Sequence, residues 1–320
     1  FYTLGGGGDR DGGFLLERID VPRLTRRSRA LTAHHNSVLD GALSSDERWA
    51  ATADADGMIC IWELDTGRLV QRLATRGARP WSAGWDNDTT IAWGTTSDYK
   101  SPNMRGPVEY AFRTDTLEMN APGDVRQRAV MRAASAALEL ADAATLVVKR
   151  AGRADIRLPK LQEYDQIRCY SFLDDRTVAV GSDLGLVLVD ATTGQRVRRL
   201  RGHVGTVWAL APSPDRRYLL TVADDQSLRV WDWRQGNVVL ALFVVDRQWI
   251  AWTPEGYYAA SPAGEQLMGW QVDAGSGQLG NFYPAVQFRS SLYQPDLIRR
   301  VLAAGGTTQA LVPLQGDPNT

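Results

Sequence analysis

Histidine, cysteine and lysine are scarce in this chain. Its 320 residues include three histidines, two cysteines and, among 36 basic residues, only three lysines. No pair of cysteines or histidines has the spacing of metal ligands, and two isolated cysteines cannot form a zinc site. We therefore predict neither a metal nor a cofactor.

Long hydrophobic runs and a strong net charge are also absent. The longest apolar run, Val238 to Val245, has eight residues and is too short to cross a bilayer. The formal net charge of -1 provides no field that would attract a nucleic acid or an anionic membrane. No signal peptide is visible, and Cys60 and Cys169 lie in apolar runs, as buried reduced thiols do. We expect a cytoplasmic protein that contacts no membrane, with nucleic acid as a disfavoured partner.

The overall composition bounds the class of protein. A hydrophobic content of 44% over 320 residues permits a large buried core in one or two domains. The preference for arginine over lysine and the abundance of alanine are typical of a GC-rich bacterial genome. Because the chain begins with Phe1 and not with Met, we expect it to be a processed piece of a longer protein.

A short acidic turn followed by an apolar strand recurs six times. One acidic residue from each turn marks the repeat: Asp46, Asp88, Asp142, Asp175, Asp215 and Glu255. Successive marks are 42, 54, 33, 40 and 40 residues apart, and their mean of about 42 suits four-stranded propeller blades. Within each unit, short runs rich in Val, Ile, Leu, Trp and Tyr are separated by Gly, Asp or Pro, as strands are. The repeat therefore predicts an all-β protein.

Two units depart from this spacing. The long step contains "TTSDYKSPNMRGP" (residues 95–107), which we interpret as a loop inserted between strands. The short step contains "RAVMRAASAALELADAAT", whose alanines favour a helix by propensity. Its match to the register of "FLDDRTVAVGS" favours strands instead.

The two ends differ from the middle. Residues 1–31 contain three strand-like runs, which we interpret as a partial blade whose first strand is missing. Near the C-terminus, Pro295 suits a helix start and Gly305 suits a C-terminal cap. The apolar residues between them share one helical face: Leu297, Ile298, Val301 and Leu302. We predict a propeller over residues 1–280, followed by a helical tail and an extended C-terminus over residues 281–320.

Two of the units share four residues at identical spacing. Each residue of one set lies 169 positions before its counterpart in the other: His34, Thr52, Asp56 and Trp62, then His203, Thr221, Asp225 and Trp231. Thr, His and Asp are the residue types of a nucleophilic triad. An enzyme rarely needs two copies of one triad, whereas a repeat fold copies its structural groups. We therefore predict that these quartets are structural and that no residue here is catalytic.

These units resemble the WD-repeat β-propeller family, above all in "GHVGTVWALAPSPDRRYLLTVADDQSLRVWDW". The resemblance fades in the unit ending "GLVLVDATTG", where Ala179 and Val189 replace Thr and Trp while Asp183 remains. It implies a WD-repeat propeller; six acidic turns and a partial N-terminal unit favour seven blades. The alternative is six, with the N-terminal strands completing the last blade. The resemblance also implies that each quartet forms a buried hydrogen-bonded network in which every polar group is satisfied.

The inserted loop carries residue types that favour protein contact. Tyr99, Lys100, Asn103, Met104 and Arg105 have no evident role in the core. Aromatic residues, Met and Arg are enriched at protein interfaces. These five are our candidate partner-binding residues, and a tolerated insertion without a role is the alternative.

Two basic runs, "RRSRA" (26–30) and "RVRRLRG" (196–202), occupy equivalent places in their units. We interpret them as outermost strands, where charge discourages association between sheets. A site for an anionic partner is the alternative.

The C-terminal segments "TPEGYYAASPAGEQLMGWQ" and "FYPAVQFRSSLYQPDLIRR" resemble the segment that closes the propeller in bacterial WD-repeat proteins associated with caspase-like proteases. The resemblance implies a non-enzymatic protein–protein interaction module: a scaffold, regulator or sensor in a bacterial signalling or defence system that regulates proteolysis. Its partner would be a caspase-like protease or a regulator of one. Neither Cys60 nor Cys169 lies in a loop suited to a protease nucleophile. The alternatives are a propeller enzyme with a site in the central channel, and a propeller that binds an anion or a nucleic acid.

Overall fold

Short apolar strands separated by tight turns dominate the structure, a computed structural model. It describes residues 2–5, 13–20, 25–34, 38–44, 46–54, 58–74, 79–95, 106–120, 123, 125, 127–158, 165–272 and 281–315. Strand is the predominant secondary structure of these described residues, and the helices are confined to the C-terminal part. The chain divides into two compact units, Phe1–Gly77 with Trp270–Tyr283 and Ala78–Gly269 with Pro284–Thr320.

The first unit contains two antiparallel sheets whose neighbouring strands are consecutive in sequence. A three-stranded sheet consists of β1 (Tyr2–Gly5), β2 (Gly13–Asp20) and β3 (Thr25–Thr32). A four-stranded sheet consists of β4 (Val38–Leu43), β5 (Trp49–Asp54), β6 (Met58–Glu63) and β7 (Arg68–Ala74). The three N-terminal strands and the outer position of the first basic run, on β3, are as predicted.

The second unit contains four further antiparallel sheets. The first comprises β8 (Ser82–Asn87), β9 (Thr90–Gly94), β10 (Tyr110–Arg113) and β11 (Glu118–Asn120). The second comprises β12 (Arg132–Ala133), β13 (Ala136–Asp142), β14 (Thr145–Arg150) and β15 (Ile156–Leu158). The third comprises β16 (Ile167–Phe172), β17 (Thr177–Ser182), β18 (Gly185–Asp190) and β19 (Arg196–Leu200). The alanine-rich segment is therefore strand, as its register predicted, and not helix.

The fourth sheet has six strands because one long strand joins two units of the repeat. It comprises β20 (Val207–Pro212), β21 (Tyr218–Ala223), β22 (Ser227–Asp232), β23 (Asn237–Val245), β24 (Gln248–Trp252) and β25 (Tyr258–Ala260). The first part of β23 pairs with β22, and its second part pairs with β24, with Ala241 opposite Trp252. The sequence analysis placed these strands in separate units.

Close packing between sheets fills the second unit. β20 packs against both β8 and β16, and the indole Nε1 of Trp85 donates a hydrogen bond of 3.0 Å to the Ala211 carbonyl oxygen. Gly181 permits the approach of the third sheet to β20, since a Cβ there would lie 2.4 Å from Cys169 Sγ and 3.0 Å from Val207 Cγ1. Interiors packed this densely leave little room for added atoms.

The C-terminal part begins with strand and ends with helix. β26 (Gly269–Val272) and β27 (Asn281–Pro284) form a two-stranded sheet. Short 3-10 helices span Gly264–Gln266 and Ala285–Phe288, and three helices follow: α1 (Arg289–Leu292), α2 (Pro295–Ala304) and α3 (Thr307–Gln315). The predicted tail therefore starts with a strand at residues 281–284, and the chain becomes helical from Ala285.

Helix α2 is part of the core of the second unit. It starts with Pro295, and Gly305 adopts a left-handed conformation (φ 92°) at its C-terminal end, as predicted. Its four apolar residues are at most 4% exposed and share a cluster with Tyr218, Val230 and Val239 of the fourth sheet. The Tyr218 hydroxyl donates a hydrogen bond to the Leu302 carbonyl oxygen.

The predicted all-β class is confirmed, with four-stranded antiparallel sheets as the recurring element. The number of blades and the domain boundary at residue 280 remain predictions.

Candidate interaction site

The second quartet comes together between the first three strands of the fourth sheet. Thr221 lies on β21 and Trp231 on β22, while His203 precedes β20 and Asp225 lies in the turn between β21 and β22. The Trp231 Nε1 donates to Thr221 Oγ1 at 2.7 Å, and Thr221 Oγ1 lies 2.7 Å from His203 Nε2. His203 Nδ1 lies 3.0 Å from Asp225 Oδ2. Because the carboxylate can only accept, the order of donors is indole, hydroxyl and imidazole.

The carboxylate of Asp225 is surrounded by donors. The Ser227 hydroxyl donates to Oδ1 at 2.7 Å, and the backbone N–H of Val204 donates to Oδ2 at 3.1 Å. Burial by itself would raise the pKa of Asp225, but the electrostatic interaction and hydrogen bond with His203, together with the Ser227 hydrogen bond, outweigh it and lower this pKa to about 2. Asp225 is therefore ionised and fully engaged at neutral pH.

This arrangement lacks what a nucleophilic triad needs. The Thr221 side chain is 0% exposed, and its oxygen already contacts Trp231 and His203. The order hydroxyl, imidazole, carboxylate is also that of a triad, but a nucleophile must reach its substrate, and this hydroxyl is buried beneath the Trp231 indole. The geometry is that of a closed polar network between strands.

The first quartet has the same geometry in its described members. Trp62 Nε1 donates to Thr52 Oγ1 at 2.7 Å, and His34 Nε2 lies 2.7 Å from the same oxygen. All three side chains are buried. Asp56, the predicted fourth member, lies outside the described residues.

The five candidate residues of the inserted loop, Tyr99, Lys100, Asn103, Met104 and Arg105, also lie outside the described residues. The described ends of the loop are held together. The Glu109 carboxylate accepts hydrogen bonds of 2.7 Å from both the backbone N–H and the hydroxyl of Thr95. A Cβ on Gly94 would lie 1.8 Å from the Pro107 carbonyl oxygen, so the two ends of the loop touch. The inserted segment therefore leaves and re-enters the fold at one fixed place.

A cavity of about 470 Å³ lies beside this loop base. Its lining includes Gly106 and Pro107 at the end of the loop, Arg128, and small or apolar residues of the first and fourth sheets. The Arg128 guanidinium donates to the Gly106 carbonyl oxygen at 3.3 Å. The described residues that line this cavity include no carboxylate, histidine or cysteine, and the described part of the chain has no cluster of three or more such groups able to hold a metal.

Sequence reasoning missed a second polar cluster, centred on Asp224. Arg79 Nε lies 3.1 Å from Asp224 Oδ1, and the Trp208 indole donates to the same oxygen at 2.6 Å. The Arg79 guanidinium also lies 5.0 Å from the ring centre of Trp81, within the range of a cation–π contact. The sequence feature that could have indicated this cluster is the pair of adjacent aspartates in "ADDQ". Because Asp225 belongs to the quartet, Asp224 must have other partners.

The neighbouring degenerate unit uses its retained aspartate differently. Arg168 binds Asp183 through two hydrogen bonds, of 2.6 and 3.0 Å. The Arg168 guanidinium lies over the Trp208 ring at 5.2 Å. Asp183, the counterpart of Asp225, therefore contacts an arginine and not a histidine.

The described helices include none that is both long and apolar enough to span a membrane.

Comparison with known proteins identifies the repeated units. The family model described as "WD domain, G-beta repeat" matches residues 25–63 and 194–232, the two segments that contain the quartets. The mouse protein "Periodic tryptophan protein 2 homolog" is 26% identical over 241 residues, which is 67% of this chain and 25% of that protein. "WD repeat-containing protein SL1-17" of Schistosoma mansoni is 26% identical over 208 residues, 65% of this chain and 54% of that protein.

A shorter match is closer in sequence. "Nuclear distribution protein PAC1" of Arthroderma otae is 44% identical over 55 residues, 17% of this chain and 12% of that protein. The chain thus spans between an eighth and about half of the length of these three relatives. All three are eukaryotic, so they add nothing to the predicted link with bacterial caspase-like proteases. The two matched segments, the antiparallel sheets and these relatives are consistent with a β-propeller of WD-repeat type.

Proposed function

We propose that this chain is a non-enzymatic protein–protein interaction module. WD-repeat proteins function as protein-interaction scaffolds. The observation that carries the proposal is the closed state of the complete quartet, in which His203, Thr221 and Asp225 contact one another and not an open site. The three polar residues of this quartet therefore connect neighbouring strands.

The inserted loop is the proposed contact surface. Its base is fixed by Thr95, Glu109 and Pro107, as described above, and it adjoins the cavity lined by Arg128. Rigid scaffolds place binding residues on loops because a loop can vary without disturbing the packing beneath it. Tyr99, Met104 and Arg105 supply the residue types that dominate interface energetics.

Replacing Tyr99, Met104 and Arg105 together by alanine tests this surface. We expect folding to be unchanged and the affinity for the co-purifying partner to fall by more than about 2 kcal/mol in titration calorimetry. A matched triple variant, Glu139→Ala, Arg153→Ala and Arg157→Ala, changes exposed residues of the second sheet and should bind normally. Equal affinity of the loop variant and the unmodified chain would remove the loop from the proposal.

We further propose that the partner is a caspase-like protease or a regulator of one, in a bacterial signalling or defence system. Its support is the resemblance of the C-terminal segments stated above. That segment is tied to the fold through Arg289 Nη1, which lies 2.6 Å from the buried Glu265 carboxylate. Labelling the native complex with a covalent probe for caspase-like proteases tests the proposal. A complex purified to homogeneity that takes up no probe and contains no inhibitor of such an enzyme would contradict it.

We propose a cytoplasmic location on the ground that Cys60 and Cys169 are both buried within apolar strands. Fractionation of the native host tests it.

A further inference from the structure

Strand β19 forms the outer edge of the third sheet. Among the residues that the structure describes, it pairs with β18 on one side, with Leu200 opposite Leu186 and Arg198 opposite Leu188. Val197 has no partner in this register, because Arg196 is opposite Val189 and Arg198 is opposite Leu188. An edge strand presents backbone N–H and C=O groups to which an extended peptide can add.

The edge concentrates positive charge in a chain whose net charge is -1. The segment from Ala191 to Gly202 contains four arginines and no acidic residue: Arg196, Arg198, Arg199 and Arg201. Arg198 donates to the backbone carbonyl oxygen of Arg234 at 3.2 Å, and Arg199 donates to that of Leu184 at 2.6 Å. Carbonyl oxygens are neutral acceptors, so these contacts orient the guanidinium groups without cancelling their charge.

The acidic residues nearest in sequence are engaged elsewhere. Asp183 binds Arg168 at 2.6 Å, and Asp215 accepts a hydrogen bond of 2.5 Å from the Ser213 hydroxyl within its own turn. Asp190 accepts hydrogen bonds from the backbone and hydroxyl of Thr192 within its own turn, and also contacts Arg176 at 3.2 Å.

Exposed apolar side chains accompany this charge. Six large hydrophobic residues are exposed in the described part of the chain. Three of them flank or lie on β19: Leu184 at 40%, Val197 at 62% and Val204 at 58%. Charge is sufficient to discourage self-association of an edge, whereas exposed valine and leucine contribute to binding a partner.

We propose that the outer edge of β19 binds an acidic, extended segment of a protein partner by strand addition. Backbone groups of the segment pair with the free side of β19, its acidic side chains meet the arginines, and its apolar side chains cover Val197 and Val204. The proposal rests on the function proposed above and specifies the chemistry of one partner segment. A nucleic acid is disfavoured because its phosphates need a broad basic surface and make no use of exposed aliphatic side chains.

The test uses a fluorescein-labelled peptide of alternating Glu and Val residues, with a Lys–Val peptide of the same length as the control ligand. Fluorescence anisotropy should show that the Glu–Val peptide binds at least about tenfold more tightly than the Lys–Val peptide. The double variant Arg199→Glu and Arg201→Glu should weaken this binding at least about tenfold. The control variant Arg153→Glu and Arg157→Glu makes the same change of charge on β15, the outer strand of the second sheet, and in the turn that precedes it, and should bind within about twofold of the unmodified chain.

Hydrogen exchange distinguishes strand addition from binding through side-chain charge alone. Backbone amides of β19 should gain protection when the Glu–Val peptide binds, and those of β15 should not. Absence of binding, equal loss in both variants, or unaltered exchange at β19 would each overturn the proposal. Displacement of the peptide by duplex RNA with the same sensitivity to Arg199→Glu and Arg201→Glu would assign the edge to nucleic acid instead.

The two proposals can fail separately. A chain that ignores the Glu–Val peptide but binds its native partner through the inserted loop refutes the edge and leaves the interaction module intact.

Discussion

The third and fourth sheets of the second unit have different side-chain contacts at equivalent positions. In the fourth sheet, Thr221 and Trp231 join a buried polar network with His203 and Asp225. In the third sheet the two equivalent positions are Ala179 and Val189, at 0% and 3% exposure. The equivalent aspartate, Asp183, lies in a partly exposed ion pair with Arg168.

The comparison distinguishes the contacts that a sheet needs in order to form from the contacts that make its stability sensitive to a single substitution. The third sheet and the first four strands of the fourth sheet have the same consecutive order and antiparallel pairing, so the quartet is not required for such a sheet to form. Shortening a buried apolar side chain lowers the free energy of unfolding roughly in proportion to the buried apolar area that is lost. A buried polar network instead penalises the loss of one member steeply, because the remaining members stay buried without partners.

The largest expected effect follows from replacing His203 by alanine. Thr221 and Asp225 would remain buried and lose their shared partner, at a cost of about 2–4 kcal/mol. Denaturant and thermal unfolding should show this loss. An unchanged unfolding curve would mean that the network contributes nothing to stability and that the two sheets do not differ in the way described.

Lowering the pH should reduce the free energy of unfolding through protonation of Asp225 in the fourth sheet. Its pKa in the folded protein is about 2 against an ordinary value of 3.8, so the unfolded chain binds the proton more tightly than the folded one. The resulting stability, on the order of 2 kcal/mol, is present above about pH 4 and is lost as the pH falls towards 2.

Unfolding measured between pH 5 and pH 2 should therefore show a steeper loss in the unmodified chain than in Asp225→Asn. His203→Ala should also flatten the profile, because it removes the electrostatic interaction and the hydrogen bond that lower the pKa of Asp225. Identical profiles in all three proteins would contradict this account of the network.

The smallest effect is expected in the third sheet. Asp183→Ala removes an ion pair whose side chains are 31% and 29% exposed, which should cost less than about 1 kcal/mol. The apolar contacts of Ala179 and Val189 stay in place. A loss as large as that of His203→Ala, measured in the same unfolding assay, would show that both sheets depend on polar networks.

The repeated features of this fold could be predicted from sequence because they are local or periodic. The spacing of 169 residues identified both quartets, and the acidic turns located the strands around them. Helix α2 was predictable from Pro295, Gly305 and the apolar face between them, since helix ends and faces depend on neighbouring residues.

Contacts between distant segments could not be predicted in this way. Arg79, which precedes β8, contacts Asp224 in the turn after β21, and no period in the sequence connects them. The acidic turns at Asp215 and Glu255 predicted β22 and β24 in separate units, whereas β23 pairs with both of them. Because β23 runs on without a turn between its two partners, no turn residue within it indicates this double pairing.

The central claim is that the quartet residues are architecture and that binding takes place elsewhere. The most direct measurement is titration calorimetry of the co-purifying partner with the His203→Ala protein, at a temperature where circular dichroism shows that it is folded. We predict an affinity within about twofold of the unmodified chain, although the variant unfolds at a lower temperature. Loss of binding by the folded variant, or loss of a hydrolytic activity that the unmodified chain possesses, would contradict the claim and restore His203, Thr221 and Asp225 as an active site.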